Sequence, residues 1–263
     1  MKKSKKMQLV DNLIKEALKT GFLKCDANGE FKNVKFVDNF AVLKLMKLYH
    51  SIGFPTDELV SEESYKKIQM CSNKAIAEGA QIAKMIASKH VYGEDGWVSD
   101  YVEVQSRVPG KPIMQLKKYF DYNYNLPFDI DDDINKDLKT LSEIPQEHYT
   151  KLFKTLNIMY DNSLIADFQN MGNFLYDEKT GFWVVDLKSL IAGPFRKSNS
   201  GLGPDAAWSF YKCITRTLFE ACPRQHLKDQ PAKGYLGGVV DKLIVAEEEI
   251  NKRKITERDI TSY

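Results

Sequence analysis

The sequence predicts an α+β fold, with a strand-rich N-terminal part and a mostly helical C-terminal part. Three observations predict it. Short apolar runs separated by turn residues lie between 22 and 46, a second turn-centred pair lies between 174 and 185, and helical apolar spacing fills much of the rest. At 263 residues with 43% apolar content the chain can bury one good core or two modest lobes. The expected division is an N-terminal helix and tail over 1–20, a smaller lobe over 21–108 and a larger one over 109–263.

Met7 to Thr20 carries apolar residues at helical spacing, and Gly21 supplies a stop. Phe22 to Cys25 reads as a strand, Asp26-Ala-Asn-Gly29 as a turn, Phe31 to Val37 as a second strand, Asp38-Asn39 as a turn and Phe40 to Met46 as a third strand. A rival reading makes residues 37–52 a helix ended by Gly53-Phe-Pro55, because Leu43, Lys44, Leu45, Met46, Lys47 and Leu48 all favour helix. Residues 57–88 read as helical in one or two segments, most strongly from Ala75 to Ile86. Residues 114–163 are mostly helical in expectation, interrupted by an acidic turn from Asp129 to Asp133, with Tyr149 to Tyr160 a buried helix. Phe174-Leu-Tyr176 and Phe182-Trp-Val-Val185 flank Lys179-Thr-Gly181, which marks a β-hairpin. Ile191 to Pro204 is rich in Gly, Ser and Pro and reads as a loop, and 205–221 and 235–253 as helices.

Charge and cysteine usage narrow the function classes. Lys plus Arg number 38 against 36 acidic residues, a net of +2, so no global field draws the chain to nucleic acid. The basic start Met1-Lys-Lys-Ser-Lys-Lys6 lacks the apolar stretch of a secretion signal, and no apolar run approaches the roughly 20 residues a bilayer requires. Cys25, Cys71, Cys213 and Cys222 have no paired short spacings, which argues against zinc and against a disulfide framework. A reducing cytosol is the expected compartment, either the cell's own or, for an effector, a host's.

The residues that carry chemistry lie around the late hairpin. It is expected to set Asn173 beside Asp186 at the end of a two-stranded ladder, with Asp167 just upstream. Three oxygen-bearing side chains converging there suit a divalent metal, ATP phosphates and an acceptor hydroxyl.

The order and spacing of these pieces resemble the protein-kinase-like superfamily, which includes small-molecule phosphotransferases. The thirteen-residue step from Asn173 to Asp186 fits that family's distance from loop Asn to metal-binding Asp. Tyr101 to Ile113 looks like the last N-lobe strand running into an inter-lobe hinge, and Val108-Pro-Gly-Lys-Pro112 is similar to the hinge of aminoglycoside- and choline-kinase-like enzymes. Asp205-Ala-Ala-Trp-Ser-Phe-Tyr211 resembles the helix whose Asp braces the catalytic loop. The resemblance implies a two-lobed fold that uses ATP and Mg. Asp186 would chelate the metal bridging the β- and γ-phosphates, Asn173 would hold the same or a second ion, and Asp167 would orient or deprotonate the attacking hydroxyl. Lys44, or alternatively Lys67, would orient ATP; Glu78 would supply a carboxylate to that lysine. Backbone groups from Gln105 to Val108 would bond the adenine edge, with Gly110 and Pro112 in the hinge.

The chain also departs from the pattern. Ile165 stands where the family has His. Asp167 to Asn173 is six steps, one more than the usual pattern, so the loop carries an inserted residue or Gln169 or Asn170 takes part. The chain reads Asp186-Leu-Lys188 instead of Asp-Phe-Gly, and no glycine-rich loop precedes it; Asn28-Gly29 stands in its place. The short segment from Asp186 to Asp205, with about 58 residues after it, looks like a minimal effector or phage-type protein kinase. A protein Ser/Thr hydroxyl is therefore the expected acceptor. Alternatives are a small hydroxylated acceptor, transfer of AMP, and a pseudokinase that binds a partner.

Overall fold

The computed structural model describes residues 4–20, 26–28, 32–45, 61–94, 98–114, 130–168, 171–189, 206–221, 231–252, 254 and 256–261. Helix α1 (Lys5–Thr20) forms because Val10, Leu13, Ile14 and Ala17 recur on one face, and all four are buried. They pack against a five-stranded antiparallel sheet built from β1 (Ala27–Asn28), β2 (Lys32–Val37), β3 (Phe40–Leu45), β4 (Met85–Tyr92) and β5 (Val98–Ser106), in the order β1-β2-β3-β5-β4. The two-residue turn Asp38-Asn39 joins β2 to β3 as expected, with Asp38 left-handed at φ 51.

Phe40 to Leu45 is thus strand, and the rival helix fails there; residues 46–60 lie outside the described ones. Ala27 and Asn28, read from sequence as turn residues, instead pair with Val34 and Asn33. Asp26 extends that pairing: its N–H donates to Val34 O (2.8 Å) and its Oδ2 accepts from the Phe36 N–H (2.6 Å). Phe22 to Cys25 and Gly29 lie outside the described residues.

Helix α2 (Glu62–Ala77) connects β3 to β4. Ser61 caps it by accepting the Ser64 N–H (3.1 Å). The expected continuous helix from Ala75 to Ile86 does not exist. Gly79 turns left-handed at φ +100 just past the helix end, Ile82 bridges to Val184, and β4 starts at Met85. Pairing to a distant strand outweighs the helix preference of the Ala-rich run. At the start of β4, an edge strand of the sheet, Gln69 Nε2 donates to Met85 O (3.3 Å) and Ile86 O (3.0 Å).

Strand alternation gives the sheet two different faces. Phe40, Val42, Val102 and Val104 form one core with α1. Met85 and Tyr101, on the other face, join a larger core with Tyr65, Ile68, Cys71 and Ala75 of α2 and with the C-terminal elements.

After β6 (Lys111–Pro112), α3 (Ile130–Glu143) begins inside the acidic run. Asp131 to Asp133 make its first turn rather than a break, where the helix dipole favours carboxylates. Helix α4 (Gln146–Asp161) buries Tyr149, Leu152, Phe153, Leu156 and Met159, and the Tyr149 hydroxyl ties it to α3 by donating to Leu141 O (2.8 Å). Then come β7 (Leu164–Ala166), a single 3₁₀ turn (Met171–Asn173), β8 (Phe174–Asp177), β9 (Gly181–Val184) and β10 (Leu187–Ser189). β10 pairs with β7, and β6-β8-β9 form a three-stranded sheet. Helices α5 (Ala206–Ala221) and α6 (Pro231–Asn251) close the core, followed by α7 (Glu257–Thr261), which the sequence reading did not foresee. Glu247 of α6, 0% exposed, accepts the Ala207 N–H at the head of α5 (3.2 Å) and the Asn251 amide (2.7 Å). Among the described residues no helix is long and apolar enough to cross a membrane.

Candidate functional site

The β8–β9 hairpin forms where expected because Asp177 nucleates its turn. Its Oδ1 accepts from the Lys179 N–H (3.2 Å), the Thr180 N–H (2.9 Å) and the Thr180 hydroxyl (2.8 Å), and Gly181 takes φ +87 against the His148 ring. The ladder ends at Phe174 opposite Val184. One residue further, the Val185 N–H donates to Asn173 O (3.1 Å), and the Asp167 N–H donates to Asp186 O (3.2 Å). The Asn173 side chain closes the circuit, its Nδ2 donating to Asp167 O (3.1 Å). The structure therefore brings Asp167, Asn173 and Asp186 together, all three half-buried.

Fixing Nδ2 on a carbonyl turns the Asn173 Oδ1 the other way, as an acceptor. One amide oxygen and two carboxylates are hard donors of the kind Mg takes, with its remaining positions left to phosphate and water. That fits the ion the sequence implies. Among the described residues no group of three or more His, Cys, Asp and Glu is placed to hold a metal.

Beneath this cluster, Cys213 of α5 is fully buried; burial, and then the charge of Asp167, pushes its thiol far up, so it stays neutral. Ile165 is buried in β7, opposite Lys188 of β10.

Tyr101, on the α2 face of the sheet, shares a core with Leu187, the residue after Asp186. Burial holds the Tyr101 phenol well above its ordinary range, with Glu103 and, more weakly, Tyr65 and Asp186 adding to the effect. The Tyr101 hydroxyl donates to Glu103 Oε2 (2.5 Å) and Gln105 Nε2 donates to Glu103 Oε1. Glu103 is 2% exposed. Sequence reasoning missed Tyr101 and Glu103, although the alternation Tyr101-Val-Glu-Val-Gln105 marks a strand with one apolar and one polar face.

Lys44 is not part of this face, which corrects the expectation for it. It lies opposite Val102, and partners in an antiparallel pair project to the same side, here the side covered by α1. There Lys44 is 4% exposed and ion-paired with Asp100. Asp100 takes the charge of this buried side chain. Lys67 pairs instead with Glu63 one turn earlier on α2 (2.7 Å).

Glu78 lies past the last turn of α2 and accepts from Asn162 Nδ2 (2.6 Å), so it serves no strand lysine; the stop at Gly79 leaves it at the helix end. Gln105 sits in the ladders opposite Ala41 and Met85, and its side chain turns to Glu103. Pairing continues through the Ser106 N–H to Lys84 O (2.8 Å) and the Arg107 N–H to Asn39 O (2.8 Å), so Val108 is the first residue beyond it. Gly110, at φ +96, leads into β6, and Pro112, expected with it in the hinge, lies within that strand opposite Leu175. Gln169, Asn170 and Asp205 lie outside the described residues.

Comparison with models of protein families finds no match for the chain, and comparison with curated proteins finds none either.

Proposed function

We propose that the chain is an ATP- and Mg-dependent phosphotransferase with a two-lobed, kinase-like architecture, acting on protein Ser/Thr hydroxyls. The observation that carries this is the backbone-locked set Asp167, Asn173 and Asp186 at the hairpin base. The order of elements supports the architecture: a five-stranded sheet with a helix between β3 and β4, one connection through Gly110, then a hairpin flanked by β7 and β10. A magnesium ion held by Asn173 and Asp186 would neutralise charge developing on the β- and γ-phosphates. Asp167 orients the acceptor hydroxyl and takes its proton.

A second reading, a pseudokinase that binds a partner, is favoured by two observations. Lys44 is committed to Asp100 on the α1 face, and an apolar Ile165 precedes the loop.

Thermal melting with Mg-ATP and transfer of labelled phosphate to a protein acceptor test both. The wild type is expected to gain about 2.7 kcal/mol at nucleotide one hundredfold above Kd and to transfer label, and Asp186→Ala to lose both with little change in its own melting point. A shift without transfer leaves the second reading; neither shift nor transfer removes nucleotide from the account. Product mass separates phosphate from AMP.

A further inference from the structure

The β3 register carries a consequence for ligand binding that rests on the nucleotide reading above. Ala41 and Leu43 lie opposite Gln105 and Glu103, on the face that carries Tyr101, which shares a core with Leu187 next to Asp186, whereas Val42 and Lys44 lie opposite Val104 and Val102 on the α1 face. Leu43 is only half-buried, so part of its side chain is open to solvent, while Glu103 opposite it is not. We infer that Leu43, rather than Lys44, is the β3 residue that meets a bound nucleotide, and that this neutral position makes the cleft select the metal complex of the nucleotide over the free polyanion.

The physical reason is charge. A lysine fixed beside a polyphosphate attracts it whether or not a metal is bound, and the effect grows as water is excluded. Leu43 contributes no such attraction, and the residue paired with it across the ladder is Glu103, whose carboxylate is hydrogen-bonded to Tyr101 and Gln105. The neutralisation that binding requires then falls to the divalent ion at Asn173 and Asp186.

The test uses the full chain, with ATP in excess Mg and ATP in EDTA as probes, read by melting shift and by Kd. The wild type is expected to respond to Mg-ATP alone. Leu43→Lys is expected to bind Mg-ATP about tenfold more tightly and to acquire a shift with ATP in EDTA. Leu43→Arg serves as the second variant. Lys44→Met is expected to melt lower, having lost the partner of Asp100, while its Kd for Mg-ATP stays within about threefold of wild type. Folded Leu43→Lys and Leu43→Arg proteins with no gain under either condition would overturn the inference, as would a folded Lys44→Met that loses about tenfold or more in affinity. Should neither position-43 variant fold, the Lys44→Met affinity decides alone. A wild type blind to Mg-ATP beside a responsive Leu43→Lys would remove the enzyme reading and uphold the role of position 43. No response from any of these proteins would sink both.

Discussion

Asp177 shows how one side chain sets the geometry on which the site depends. The Thr180 hydroxyl, foremost, and the N–H groups of Thr180 and Lys179 hold its carboxyl below the usual aspartate range. A carboxyl depressed in the folded state contributes stability that is fully present above its unfolded pKa and is lost as pH falls through the folded one. The melting-point gap between wild type and Asp177→Asn is therefore expected to be constant from neutral pH down to the ordinary aspartate range and to close below it. A gap that widens on acidification would contradict this. Sequence indicated the turn through Lys179-Thr-Gly181 between two apolar runs, but not the part Asp177 plays in it. It could not place Lys44. A lysine closing the run Phe40-Ala-Val-Leu looks alike from both faces of the strand, because the residues on either side are all apolar. Only the pairing with β5 and the cover supplied by α1 decide which face it takes.

At the scale of elements, β6 ties the connection between the two parts to the hairpin. Lys111 and Pro112 pair with Tyr176 and Leu175, and Gly110 makes the approach at φ +96, where a Cβ would lie 2.6 Å from Tyr176 O. Gly110→Ala is expected to cost about 1–3 kcal/mol from backbone strain, with further loss if β6 detaches, measured as a fall in urea midpoint. An unchanged midpoint would mean that β6 contributes nothing to the fold. The elements legible in sequence are those fixed by local chemistry: α1 by its apolar period, the Asp38-Asn39 turn, the β8–β9 hairpin and α4. Those misread are fixed by distant partners. The Ala75–Ile86 run breaks because Ile82 pairs with Val184, about a hundred residues away. Asp131 to Asp133 look like a break by composition, yet carboxylates are at home in a first helical turn.

For the molecule as a whole, the segment after α2 is the fastening. The Gln81 N–H donates to Thr155 Oγ1 (3.2 Å), its side chain donates to Thr180 O (3.0 Å), the Ala83 N–H donates to Val184 O (3.1 Å) and Glu78 holds Asn162. Sheet and helices thus share their polar contacts as well as the larger core. The amides of Ala83 and Val184 are expected to exchange with the same opening free energy as those of α4, within about 1 kcal/mol, by native-state hydrogen exchange. Markedly faster exchange at both would show that the two parts open independently. Of the candidate site, the half that carries Asp167, Asn173 and Asp186 could be located from a hairpin and its spacing. The half on the sheet could not, because it depends on which side of β5 meets α2.

The amide of Gln69 has one more effect. By occupying the first two carbonyls of the outermost strand, it denies them to any foreign strand, and exposed Lys89 further along places a charge in the path of stacking. A border so guarded keeps neighbouring copies from zipping together along it.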